Sequence, residues 1–252
     1  MPTPSASELR GILRDHVRDI ELEHSGMSHI EPLAEENKDV LAWSVSGILR
    51  LFPDVDADDR GGLEWTTSEG VSLAPVVQDA NDEVAIRLFS TNGFTVDLYR
   101  LGSGLAASLD ERSVEAEHFL PLTDPRTGTL VDEIDEEFYP LGNTLLVIER
   151  ANLAPAWRGL GGLGRMLIAH ALRWEAREAK VIAVHPHPID LPEGLERDGP
   201  RFLEGLATVR RTWASLGFDP MDGHEDIWLF DPAMNGMDLA EAKLRSHLLG
   251  GS

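Results

Sequence analysis

"TLLVIERANLAPAWRGLGGLGRMLIAHALRW", residues 144 to 174, passes from an apolar run of strand length through a turn with four glycines in six positions, then into a segment with helical period. Leu163, Met166, Leu167, Ala171 and Trp174 fall on one face of that segment, with His170 at the rim of the stripe. The stretch therefore predicts a strand, a tight turn and a helix. Such a junction is suited to an anion: the first amides of a helix lack intrahelical partners, the dipole adds positive charge, and glycine allows close approach.

The alternation continues downstream. "KVIAVHP" (180–186) predicts a strand, "PRFLEGLATVRRTWASLGF" (200–218) an amphipathic helix and "EDIWLF" (225–230) a strand, which makes the second half α/β in pattern. "GMDLAEAKLRSHLLGGS" (236–252) predicts an amphipathic helix that docks on its own domain by default, or on a second copy in a homodimer. Upstream, Ser5 and Glu8 form a capping-box pattern before Leu9, Ile12, Leu13, Val17 and Ile20, so a helix is expected over 5–24, with a second over 39–52. "DVDADD" (54–59) is a solvated loop, because its spaced acids lack the glycine and glutamate of a calcium loop. Residues 63–77, 82–90 and 93–102 are expected to be extended, the last two joined by a hairpin at Asn92-Gly93. A short helix over 109–122 and an acidic loop over 123–143 complete the chain. The expected organisation is an N-terminal helical and β extension (1–75), a main domain (76–234) and a C-terminal tail (235–252).

Composition narrows the function classes. The 252 residues include no cysteine, which excludes a thiolate nucleophile, a disulfide framework and thiolate metal sites. No signal-peptide pattern and no apolar run of about 18 residues is present, so a cytoplasmic protein without a membrane span is expected. A net charge of -22 repels phosphodiester backbones and argues against a nucleic-acid partner.

Three phosphate-binding patterns compete at the turn. A Walker loop requires Gly-Lys-Ser or Gly-Lys-Thr where the chain has Gly164-Arg165-Met166. Gly159, Gly161 and Gly164 match a dinucleotide fingerprint, but the next strand ends in His185 where an acidic ribose partner belongs. The third pattern is a strand ending in Ala154-Pro155, then Trp157-Arg158, the glycines, Arg165 and a Leu/Met-rich helix, followed by a second helix closing in "WASLGF". Over residues 144–230 it resembles the GNAT acyltransferase superfamily.

That resemblance implies a mixed, mostly antiparallel central sheet flanked by helices, and acetyl-coenzyme A as co-substrate. It implies that Leu153 and Ala154 offer backbone groups to the pantetheine and that the amides of Gly159, Gly161, Gly162 and Gly164 meet the pyrophosphate. Arg158 and Arg165 would offset ligand charge. Two positions depart from the family: Leu163 stands where a second glycine or alanine is usual, and Trp213 stands where many members carry a tyrosine acid. Indole cannot release a proton at neutral pH. The early hairpin of the family is also absent just before residue 144, and residues 63–100 are expected to supply those strands.

Acyl transfer to an amine requires a base. Glu149 on the motif strand is the first candidate, its structural alternative being a carboxylate paired with Arg150 or another neighbour. His185 is the second, with His187 beside it in "VHPHP". The pair has ligand spacing, but the interleaved prolines argue for a loop, and no metal is expected. If the acidic run 132–137 lined the acceptor groove, it would favour a cationic amine, small or on a protein. The sequence thus predicts an N-acetyltransferase acting by direct attack, with a non-catalytic acyl-coenzyme A binding or assembly module as the alternative.

Overall fold

A computed structural model describes residues 19–26, 40–51, 74–78, 84–138, 142–159, 162–189, 199–233 and 236–249. The Ser5–Glu8 capping box, the 54–59 loop and Gly161 lie outside them. Eight strands form one sheet: β1 (Ile20–Gly26), β2 (Val40–Leu51), β3 (Ala74–Gln78), β4 (Val84–Asp97), β5 (Thr144–Leu153), β6 (Ala179–Val184), β7 (Asp219–Met221) and β8 (His224–Phe230). The order is β1-β2-β4-β5-β6-β8-β7, with β3 on the part of β4 that β5 does not reach. Among the described residues only β5 with β6 is parallel, and the other pairings are antiparallel. The chain is therefore a mixed α+β protein built on a mostly antiparallel sheet.

Helices cover both sheet faces. On one face lie α5 (Leu163–Glu175), α6 (Pro200–Ala214) and α7 (Gly236–Leu249); on the other lie α1 (Leu98–Leu101), α2 (Leu105–Arg112), α3 (Val114–Glu117) and α4 (Asp132–Glu137). Leu146 and Ile148 of β5 enter the first core, Leu145 and Val147 the second. A strand buried on both faces has no polar side to show, which is why "TLLVI" and "VIAV" read as unbroken apolar runs. Helix α7 docks on its own chain: Met237 and Leu244 are buried, and Glu241 receives His170 (3.0 Å), Arg173 (2.5 Å) and Arg245 (2.8 Å).

The N-terminal helices expected from sequence are strands wherever residues are described. In β1, Ile20 and Leu22 pack on the core while Glu21 and Glu23 alternate with them. In β2, Trp43, Val45 and Leu49 are buried with Ser44 and Ser46 between them, a period of two hidden by apolar residues that also fit a helical stripe. Both strands belong to the same sheet as the motif strand, so residues 20–24 and 40–51 are corrected from helix to strand, while 5–18 lie outside the described residues. The acidic loop likewise holds α4, anchored by buried Ile134 and by an ion pair from Asp135 to buried Lys180.

The expected hairpin at Asn92-Gly93 is absent. β4 runs straight through, and its register with β5 shifts there: Asn92 faces Arg150, Gly93 faces Ile148, and Glu149 is the extra residue. This is a β-bulge on β5. Gly93 permits it, since an added Cβ would lie 1.9 Å from the Val147 carbonyl oxygen and 2.8 Å from the Trp43 ring. The dipeptide signals glycine's freedom of approach, not a turn.

Gly93→Ala should therefore lower unfolding free energy by about 2–3 kcal/mol through enforced overpacking. Gly26→Ala, with nothing within 4 Å of its added Cβ, should change it by less than about 0.5 kcal/mol. Urea denaturation of both variants checks the contrast.

Candidate functional site

The parallel ladder between β5 and β6 ends at Ile148 opposite Val184. Beyond that rung the strands separate, and the next residues are Glu149 on one and His185 on the other. Both line a cleft of about 1840 Å³ that extends to the glycine turn and along α6. The two catalytic candidates, 36 positions apart in sequence, thus line one cleft, each next to the last rung of the ladder, which marks its vertex.

Glu149 is held by the bulge that exposes it. Its carboxylate accepts a hydrogen bond from Asn92 Nδ2 at 3.3 Å and lies 3.7 Å from Arg112 Nε at the end of α2. Arg112 in turn lies over the Phe94 ring, 4.3 Å from its centroid. The partner is not Arg150, which bonds Glu115 at 3.1 Å on the rim. Asn92 and Arg112 were not identified from sequence; the Asn-Gly signal marked the right place but suggested the wrong geometry, and nothing distinguishes Arg112 from other surface arginines.

His185 lies in a column of rings. The His118 ring stacks on it at 4.3 Å between centroids, His187 follows at 5.8 Å, and Phe202 packs against His187 at 5.4 Å. Burial, helped by the adjacent imidazoles of His118 and His187, lowers the His185 pKa from the ordinary histidine value to about 4. At neutral pH the ring is uncharged and too weakly basic to serve as the base expected of it. Among the described residues no group of three or more His, Asp or Glu side chains is arranged to hold a metal ion.

At the other end of the cleft, α5 begins at Gly162 with no side-chain cap and no acid in its first turn. Gly159 (φ +72°) and Gly162 (φ +98°) take left-handed conformations, and the Arg165 guanidinium folds over Gly162. Gly164 lets the helix approach Leu153, whose Cδ2 would be 3.3 Å from an added Cβ. Arg165 bonds the Ser215 hydroxyl at 3.1 Å; Arg158 bonds the Leu153 carbonyl at 2.7 Å and Asn152 Oδ1 at 3.0 Å. Ala154 has both backbone groups engaged, its N–H with Leu88 and its carbonyl with Trp157. Antiparallel pairing turns the backbone groups of alternate residues the other way. That directs the N–H groups of Ala151 and Leu153 toward the cleft, so Leu153 can offer an amide there and Ala154 cannot.

Trp213 is buried at the cleft wall, edge-on to Phe218 at 5.0 Å. The acidic run 132–137 does not line the cleft, so it does not select an acceptor there. No helix among the described residues is long and apolar enough to cross a membrane. The chain matches no family model, no curated protein and no solved structure.

The low pKa of His185 has a sign for stability. The unfolded chain, with ordinary histidines, binds a proton that the folded ring resists, so the contribution is full above about pH 6.5 and is lost as pH falls toward 4. His185→Phe should flatten the decline of unfolding free energy over that window. In the wild type, the His185 ring should titrate near pH 4 by proton NMR while the fold persists.

Proposed function

We propose that the protein is an acyl-coenzyme A dependent N-acyltransferase of the GNAT type. The observation that carries this reading is the separation of β5 from β6 immediately after Ile148 and Val184, which leaves a cleft with an uncapped, glycine-opened helix terminus at one end and a carboxylate at the other. Further support comes from the order of elements after residue 144 and from the parallel pairing of β5 with β6 within a sheet that is otherwise antiparallel among the described residues. From Leu153 to Glu149 the strand spans about 13 Å of exposed backbone, along which a pantetheine arm would run from the helix terminus to the vertex.

In this reading the amides of α5, with Arg158 and Arg165, receive the pyrophosphate, and the free amides of β5 align the arm. Glu149, directly or through a water, accepts a proton from the acceptor ammonium. The amine nitrogen then attacks the thioester carbonyl, the carbon–sulfur bond breaks as the amide forms, and the coenzyme A thiolate takes the remaining proton. No covalent enzyme intermediate is involved, consistent with a chain that contains no cysteine. A second reading, an acyl-coenzyme A binding module without turnover, is favoured by Trp213, which cannot replace a tyrosine acid.

Calorimetry with acetyl-coenzyme A tests the shared premise. Wild type should bind, and Gly164→Asp should bind at least about tenfold more weakly, because it puts a negative charge into the first turn of α5, beside the amides that would meet the anion. An unchanged melting temperature for the variant would assign the loss to the site. Given an acceptor from an amine screen, Glu149→Gln should lower kcat by about 100-fold or more with binding retained, as removal of a general base does. Full turnover in Glu149→Gln would remove Glu149 from the chemistry, and no turnover by wild type with any amine would favour the binding module.

A further inference from the structure

The imidazole column beside the vertex has no role in the transfer as written. His185 occupies the first position beyond the last β5–β6 rung, across from the base, where an acyl group carried along β5 would end. Its surroundings are charged but not at its own ring: Asp226 on β8 and Arg210 on α6 pair with each other at 2.7 Å, and Glu149 is held by Asn92 and Arg112. What touches the ring is aromatic. His118, from the turn after α3, covers one face, with the planes only 25° apart, and His187 lies near-parallel at 18°.

A ring that cannot act as a base at neutral pH still carries one N–H donor. A neutral imidazole donor suits a carbonyl on which negative charge develops, because it stabilises that charge without protonating the attacking amine. The base on the opposite strand needs such a counterpart, and Tyr99, 89% exposed and outside the cleft lining, does not supply it.

Resting on the acyl-coenzyme A reading, we propose that His185 is the hydrogen-bond donor to the thioester carbonyl oxygen, and that the stacked His118 ring positions it. Stacking fixes the plane of the imidazole and so confines its N–H to that plane. His118 is thus a positioning residue that does not meet the substrate itself. Neither residue transfers a proton, so the atoms of the reaction balance as before.

Infrared difference spectroscopy on bound acetyl-coenzyme A, isotope-labelled at the carbonyl, reads this donor without any acceptor amine. The wild-type complex should show the carbonyl stretch moved to lower frequency than in the free thioester. His185→Phe should abolish that shift, with affinity reduced by no more than about tenfold, the worth of one neutral hydrogen bond. His185→Gln, which keeps an N–H, should retain part of the shift. His118→Phe should preserve it through stacking, while His118→Ala should weaken and broaden it. An unshifted carbonyl in the wild-type complex, or the same shift in His185→Phe, overturns the assignment while the binding reading stands. Failure of the folded wild type to bind the thioester overturns both.

Discussion

The cleft depends on the point at which β5 loses its second neighbour. Up to Ile148 the strand is hydrogen-bonded on both edges, to β4 antiparallel and to β6 parallel, and its side chains fill both cores. One residue later an extra position is inserted against β4 and the contact with β6 ends. β6 itself ends at Val184, opposite Ile148, so β5 continues past the bulge without that neighbour. The end of β6 leaves one edge of backbone amides unpaired along the wall, and the insertion turns Glu149 toward Asn92 and Arg112. The insertion requires the close approach of Gly93 to Val147, which no other residue permits.

The sequence disclosed the parts whose local signals and tertiary roles coincide. The strand expected from residue 144 onward is β5, and α5, β6, α6, β8 and α7 follow in the predicted order, because buried runs and amphipathic helices carry their periodicity within a few residues. It misled where one pattern served two geometries. Val45 and Leu49, four apart, satisfy a helical stripe and a strand face alike, and only pairing with β1 and β4 decides between them. Asn-Gly satisfies a hairpin and a bulge alike, and the choice depends on a carbonyl more than fifty residues away. Short β7, three residues that pair only with β8, had no signal of its own.

The candidate site divides in the same way. Glu149 and His185 were found because strand ends and carboxylates on central strands stand out along a chain. Their partners were not, since Arg112 and His118 lie on short helical pieces between β4 and β5, where a charged or ring side chain is unremarkable in sequence. His185 also shows why type and position do not fix a role. The same residue would be a base in a solvated strand end, but burial beside other imidazoles lowers its proton affinity and leaves a neutral ring with one N–H donor and one acceptor nitrogen.

Charge supplies the remaining constraint. A chain with a net charge of -22 opposes an anionic ligand at long range, so any binding must come from groups within a few ångströms. Several arginines around the fold are matched to carboxylates: Arg112 to Glu149, Arg150 to Glu115, Arg173 to Asp238 and Glu241, Arg210 to Asp226. Arg165 instead lies over the start of α5 and bonds a hydroxyl, so its charge adds to the helix dipole. With no acid in the first turn of α5, the local potential at the glycine turn opposes the global one. A large negative net charge and a phosphate-binding terminus are therefore compatible: salt screens the long-range field, while the amides and guanidinium act at contact distance.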